Sequence, residues 1–362
     1  MKRPTRTRWA KRIALAAAIA VLALTFINAS WLAGPPRGYV KLIAQRGTAQ
    51  QVDYAKPAPG NCPAATIAPP LHGFLENTVA AINSAKRLGA QAVQVDITPT
   101  ADGKIALFRD AALDCRTDGH GPARAATLAQ LQALDAGYGY SADGGQTFPL
   151  RGTGQGQIPS LEQGLAAAGQ TALIYNLRSG NPADADRLIA ALNAAGRDPA
   201  AHGDGFSGPQ AAIARLRAAF PGAWAFSPDE LAACTNDYLV FGWLGLTPAS
   251  CRGGTIVIPL NRQWAFAGWP NRLIQRMDAV GARVIVIGPQ ASAAPRGLDL
   301  PEQLGEIPAS FTGYVWVNDM WSVGPALRPA DNQRSPREAA ELAKALEARR
   351  AARHDAARAA RD

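Results

Sequence analysis

Residues 92–97 read Ala-Val-Gln-Val-Asp-Ile. Val93, Val95 and Ile97 alternate with Gln94 and Asp96, the period of two of a β-strand whose faces differ. The neighbouring sequence supplies the layer that buries the apolar face. Upstream, Glu76–Leu88 spaces Val79, Ile82 and Leu88 as a helix does and stops at Gly89. Downstream, Ile105–Phe108 is a short strand and Thr127–Leu134 a short helix. The rhythm runs through the chain, with strands at Val40–Ala44, Ala172–Leu177, Trp224–Phe226, Thr255–Ile258, Arg283–Ile287 and Tyr314–Val317, and a weaker signal at Gly205–Ser207. Helices fall between them: from the Ser160/Gln163 capping box to Ala168, then Ala183–Ala195, Pro209–Phe220 and Asn271–Val280.

Eight or nine short strands interleaved with helices predict an α/β protein with a parallel sheet. A (β/α)8 TIM barrel, a single domain over residues 38–332, accommodates them. A doubly wound open sheet is the alternative, though no Gly-x-Gly-x-x-Gly follows the first strand to support a dinucleotide. The long loops Thr48–Leu75 and Gly137–Ile158 are expected to be functional or covering loops.

The chain has 362 residues, 48% hydrophobic and 18% charged. That composition supports a sizeable core and excludes global disorder. The net charge of +9 sits at the ends: +7 in residues 1–37, +3 in residues 333–362, and −1 in the body between. A body without a basic face excludes nucleic acid as a partner. The Ala/Arg-rich tail at 333–362 reads as a charged helix, frayed and solvated in its last part.

Lys2, Arg3, Arg6, Arg8, Lys11 and Arg12 precede an uncharged run from Ile13 to Ala33. A helix of that length spans roughly 30 Å, the apolar thickness of a bilayer. Residues 1–37 are therefore a transmembrane or signal-anchor segment. The positive flank keeps that end in the cytoplasm and puts the barrel on the periplasmic or extracytoplasmic side. Secretion after cleavage near Ala29 or Ala33 is the alternative. Cys62, Cys115, Cys234 and Cys251 are the four cysteines. An even, sparse set in an exported chain reads as two disulfides, with three connectivities open.

In a barrel the reactive groups gather at the carboxyl ends of the strands. Those ends carry Gln45-Arg46-Gly47, Gln94 and Asp96, Arg109-Asp110, and Asn176-Leu177-Arg178. Three arginines, two glutamines and an asparagine around Asp96 suit an anion such as a phosphate. The set is poor for Mg²⁺ or Ca²⁺, which need several carboxylates. It is also poor for proton transfer near neutrality, having no histidine.

From Val40 to Asn318 the chain resembles the glycerophosphodiester phosphodiesterase family, in particular exported bacterial members. The resemblance rests on Glu76-Asn77-Thr78, Thr100-Ala101-Asp102-Gly103, Leu113-Asp114-Cys115-Arg116-Thr117-Asp118-Gly119, Leu134-Asp135-Ala136-Gly137-Tyr138-Gly139-Tyr140 and Gly268-Trp269-Pro270-Asn271-Arg272. It implies a divalent metal, Ca or Mg, that polarises a phosphodiester between two acid–base histidines. Gln45 and Arg109 stand at the two histidine positions, Gln94 at a metal carboxylate and Asn176 at a later one, leaving Asp96 as the metal ligand. Arg46, Glu76, Asn77 and Arg178 fall at substrate-binding positions. His72, His120 and Asp110 are the groups that could replace the lost catalysts. The resemblance also pairs Cys62 with Cys115, both in mouth loops, and Cys234 with Cys251. Tyr138, Tyr140, Trp264 and Trp269 are packing residues or line a head-group pocket.

The expected function is an envelope protein that binds a glycerophosphodiester or phospholipid head group with weak or no hydrolysis. An active phosphoric diester hydrolase with a rearranged site and a non-catalytic envelope scaffold are the alternatives.

Overall fold

The computed structural model describes residues 6–53, 58, 60, 62–290, 296–327, 329, 332 and 334–359. Helix α1 (Arg6–Asn28) leads to β1 (Lys41–Gln45), α2 (Val79–Arg87), β2 (Ala92–Pro99) and β3 (Ile105–Leu107). The helices α3 (Leu128–Gln132) and α4 (Leu161–Ala168) precede β4 (Ala172–Leu177), α5 (Pro182–Ala194), α6 (Pro199–His202) and β5 (Gly205–Ser207). The second half alternates α7 (Gln210–Ala219), β6 (Trp224–Phe226), α8 (Pro228–Phe241), β7 (Thr255–Pro259), α9 (Asn271–Ala279) and β8 (Arg283–Ile287). It closes with β9 (Tyr314–Val317), α10 (Met320–Leu327) and α11 (Pro336–Ala359).

Eight strands run parallel in the order β6-β5-β4-β2-β1-β9-β8-β7, a nearly closed TIM barrel. At the seam, β6 and β7 share no ladder. Side chains bridge it instead: Trp224 Nε1 donates to Thr255 Oγ1 (2.9 Å), and the Val257 N–H donates to Thr235 Oγ1 on α8 (3.1 Å). An edge N–H is thereby satisfied by a helix that covers the gap.

One strand departs from the expected parallel order. The β3 strand pairs antiparallel with β2 and stands off the barrel. Five residues join the two, enough for a hairpin and far short of a parallel crossover. Thr100 and Asp102 build that turn, with the Thr100 hydroxyl donating to Asp102 Oδ1 (2.6 Å).

The pleat sorts the side chains. Ile43, Ala92, Ile174, Trp224, Val257 and Ile285 fill the barrel, while Leu42, Val93, Val95, Leu173 and Tyr175 face the helix layer. Gln94 and Asp96 share the inward phase of Ala92, two and four residues further towards the mouth. The long loops make a second core of Ile67, Leu75, Phe108, Leu131, Tyr140 and Ile158. The Cys62–Cys115 disulfide staples it, and Cys234–Cys251 forms the other expected bridge. The tail forms α11 as expected: Leu342 and Leu346 bury against Leu300 and Trp321, and Arg349 pairs with Asp319, while the fraying expected of its last part falls where side chains lie outside the description.

Candidate active site

The end of β1 has an unusual backbone. Arg46 (φ 60°) and Asn77 (φ 61°) are left-handed, and the Asn77 N–H donates to the Arg46 carbonyl (3.0 Å). Such conformations cost roughly 1–3 kcal/mol each and persist where the surroundings impose them. Between them Gly47 (φ 78°) passes so close to α2 that a Cβ would lie 2.8 Å from the Ala81 carbonyl. Glycine is required there for both reasons. This crossing sets Gln45 and Arg46 at the mouth and aims Asn77 across it.

Asp96 lies at the centre, 1% exposed. Its Oδ1 accepts from Gln94 Nε2 (3.0 Å) and Asn176 Nδ2 (2.6 Å), and its Oδ2 from Asn77 Nδ2 (3.2 Å). The amide orientations are fixed by their other bonds. Asn77 Oδ1 accepts the Asp96 N–H (2.9 Å), and Asn176 Oδ1 accepts the Ser207 hydroxyl (3.0 Å). Barrel register places Asn176 beside Asp96 and Gln45 beside Gln94. A hard divalent cation needs several oxygen donors, carboxylates above all. Here one carboxylate has three N–H groups directed at it, and among the described residues no three His, Cys, Asp or Glu converge as a metal set. The residues present do not fit the expected Ca or Mg.

Arginines gather around Glu76. Arg46 Nη1 stands 3.1 Å from one carboxylate oxygen and Arg116 Nε 3.3 Å from the other. Arg116 also pairs with Asp110 and donates to the Tyr140 hydroxyl (3.2 Å). Burial alone would raise the Glu76 pKa. Arg116, Arg46, Arg109 and Arg178 reverse this and bring it down to about 2. Burial opposes the Arg116 charge, and Glu76 overcomes that and raises its pKa. Arg109 differs. Burial, then the neighbouring Arg46, lowers its pKa, and its Nη1 is buried with no hydrogen-bond partner. It lines a cavity with Glu76, Asn77, Phe108, Arg116 and Tyr140.

The structure therefore brings Arg46, Glu76, Asn77, Gln94, Asp96, Arg109 and Asn176 together, with exposed Arg178 close enough to act on Glu76. It does not bring the two histidines there. His72 sits in a separate cleft with Gln50, Asp319, Trp321 and Arg349. Its Nδ1 accepts the Phe74 N–H (3.2 Å), and burial lowers its pKa to about 4. His120 is exposed and paired with Asp114 (2.9 Å). Asp110 is occupied by Arg116. Tyr140 is a buried packing residue, Trp269 packs on Phe311 (5.2 Å between ring centroids), and Trp264 is exposed. Arg116 is the site residue that sequence reasoning missed. It lay inside a quoted match, yet it is not on a strand, so no face assignment reached it.

Residues 58–184 match the model of the Glycerophosphoryl diester phosphodiesterase family. Over 94 residues the chain is 37% identical to an uncharacterized protein of Mycobacterium tuberculosis, covering 26% of this chain and 31% of that one. It is 31% identical over 122 residues to a glycerophosphodiester phosphodiesterase of Caldanaerobacter subterraneus, covering 32% and 46%. The matches thus span less than half of these relatives. Among solved structures, the glycerophosphoryl diester phosphodiesterase domain of the M. tuberculosis protein superposes with a TM-score of 0.52 at 18% identity, covering 78% of this chain and 97% of that one. A putative glycerophosphoryl diester phosphodiesterase from Agrobacterium tumefaciens gives 0.52 at 16% identity, covering 81% and 98%. At these identities the superpositions establish the barrel fold.

Proposed function

We propose that the chain, whose residues 58–184 match the glycerophosphoryl diester phosphodiesterase family on a TIM barrel, binds a phosphodiester at the mouth with little or no hydrolysis. One observation carries the proposal: Arg109, beside Arg46 and Arg116, presents a buried guanidinium nitrogen with no hydrogen-bond partner among the described residues. A phosphate oxygen is the natural acceptor for such a fork. The two positions where the family resemblance expects histidines cannot transfer protons near neutrality, because Arg109 stays protonated and Gln45 does not titrate. Metal assistance finds no fitting site among the described residues, because the Asp96 oxygens face amide N–H groups. The ligand class is a glycerophosphodiester or a phospholipid head group. We place the barrel outside the cytoplasm, held by α1, whose Trp9–Asn28 stretch has a mean hydropathy of 2.0 and no buried part. The two disulfides agree with an oxidising compartment.

The test is made on the full chain in detergent, with sn-glycero-3-phosphocholine as probe. Calorimetry should show saturable binding that neither Ca²⁺ nor Mg²⁺ alters, and product analysis should show no turnover. The triple variant Gln45→His/Gln94→Glu/Arg109→His should gain metal-dependent turnover. Turnover by the parent that Asp96→Ala abolishes would overturn the proposal in favour of an active hydrolase with a rearranged site. Absence of binding by a range of phosphodiesters would leave the scaffold role.

A further inference from the structure

The end of α8 is apolar and exposed among the described residues. Val240, Phe241, Trp243, Leu244, Leu246 and nearby Trp264 are all exposed, between 44% and 78%. Single exposed apolar residues are ordinary, but a contiguous set with two tryptophans marks a contact surface. Residues 238–247 contain no charged side chain. The patch is also held in place. Trp243 Nε1 donates to the Ala265 carbonyl (3.2 Å), joining the Trp264 turn to the end of α8. The Cys234–Cys251 disulfide closes the segment that presents it.

The exit of α1 is clamped to this same place. Arg276 donates to the Ile27 carbonyl (3.1 Å), to Asn28 Oδ1 (2.9 Å) and to the Gly242 carbonyl (3.1 Å). Asn28 Nδ2 donates to the Trp243 carbonyl (2.8 Å), and the Asn271 N–H donates to Ser30 Oγ (2.9 Å). Trp31, 77% exposed, follows directly. These contacts fix the height of the patch against the end of α1.

We infer that this patch is an interfacial footing, which rests in the head-group layer of the lipid bilayer that α1 enters. The inference rests on α1 being the bilayer anchor proposed above. Phe26 and Ile27 at the end of α1 are exposed, and Ile27 lies against Gly245 within the patch segment. Tryptophan favours that depth, where an apolar ring and an N–H are both accommodated. An apolar patch level with the end of a spanning helix lies at the lipid surface by geometry.

The test reconstitutes the full chain into phosphatidylcholine vesicles with and without lipids brominated near the head of the acyl chain. Tryptophan quenching is compared for the parent, Trp9→Phe/Trp31→Phe and Trp243→Phe/Trp264→Phe. The expected result is that each double variant lowers the quenchable share of fluorescence, since four of the eight tryptophans contribute to it. A reduction with Trp9→Phe/Trp31→Phe alone would overturn the footing and leave the anchor standing. A reduction with neither would overturn both. Crosslinking of two copies through residues 240–246, with no quenching there, would assign the patch to a dimer and overturn the bilayer contact. A Leu244→Lys/Leu246→Lys variant gives an independent reading. It should keep the parent's far-ultraviolet spectrum while losing most of the quenching assigned to Trp243 and Trp264.

Discussion

Arg109 is held by surroundings that disfavour its charge, and it stays charged. Removing it as Arg109→Ala should weaken sn-glycero-3-phosphocholine binding by 10- to 100-fold, the weight of one charge-assisted hydrogen bond at roughly 1.5–3 kcal/mol. Calorimetry at constant salt checks this, and an unchanged affinity would remove Arg109 from the site. His72 predicts a pH effect of a different kind. Its folded pKa is lowered to about 4 by burial, against 6.5 in the open chain. Between those values the unfolded chain takes up a proton that the folded one refuses, so stability present above pH 6.5 declines as pH falls towards 4. His72→Gln should remove about 3 kcal/mol of that decline, seen as a flatter plot of urea midpoint against pH. A plot as steep as the parent's would refute it. At this scale the strand phase made Gln94, Asp96 and Asn176 legible, since a period of two puts them on one face. What the phase does not reveal is the saturation of Asp96 by three amides, because that depends on Asn77 reaching across in a left-handed conformation.

Elements explain both the successes and the misses. Strands of β-branched residues between capped helices were readable from local pattern, and Ser160 with Gln163 caps α4 as expected. The antiparallel placement of β3 follows from its five-residue connection to β2, which the strand pattern alone does not reveal. Helix α8 does not stand out by apolar periodicity, although Ser227 and Glu230 form a capping box with Pro228 in the first turn. Its apolar residues are exposed at one end and buried in the middle, which blurs the 3.6-residue period. The β1–α2 crossing gives a sharper test. Gly47→Ala adds a Cβ 2.8 Å from the Ala81 carbonyl at φ 78°, so both space and conformation oppose it. We expect a loss of about 2–4 kcal/mol in chemical denaturation, and weaker phosphodiester binding as Arg46 shifts. A near-neutral substitution would show that the crossing is not what positions Arg46.

The whole molecule adds a direction to the site. Strand β1 begins at Lys41, 13 residues after α1 ends at Asn28, and Ala33 and Gly34 between them accept hydrogen bonds from Asn271 and Gln275 of α9. A five-residue strand rises about 16 Å, and the arginine cluster lies at its far end. If the mouth opens away from the bilayer, a phospholipid still seated in the leaflet does not reach it, whereas a water-soluble glycerophosphodiester does. The expected outcome is that the full chain in nanodiscs binds sn-glycero-3-phosphocholine with the same affinity whether the discs are phosphatidylcholine or phosphatidylethanolamine. Head groups of the host bilayer should not compete. Equilibrium dialysis with labelled probe measures this directly. A severalfold weaker apparent affinity in phosphatidylcholine discs would mean that host head groups reach Arg109. The mouth would then face the lipid, and the ligand would be a membrane phospholipid rather than its soluble deacylated form.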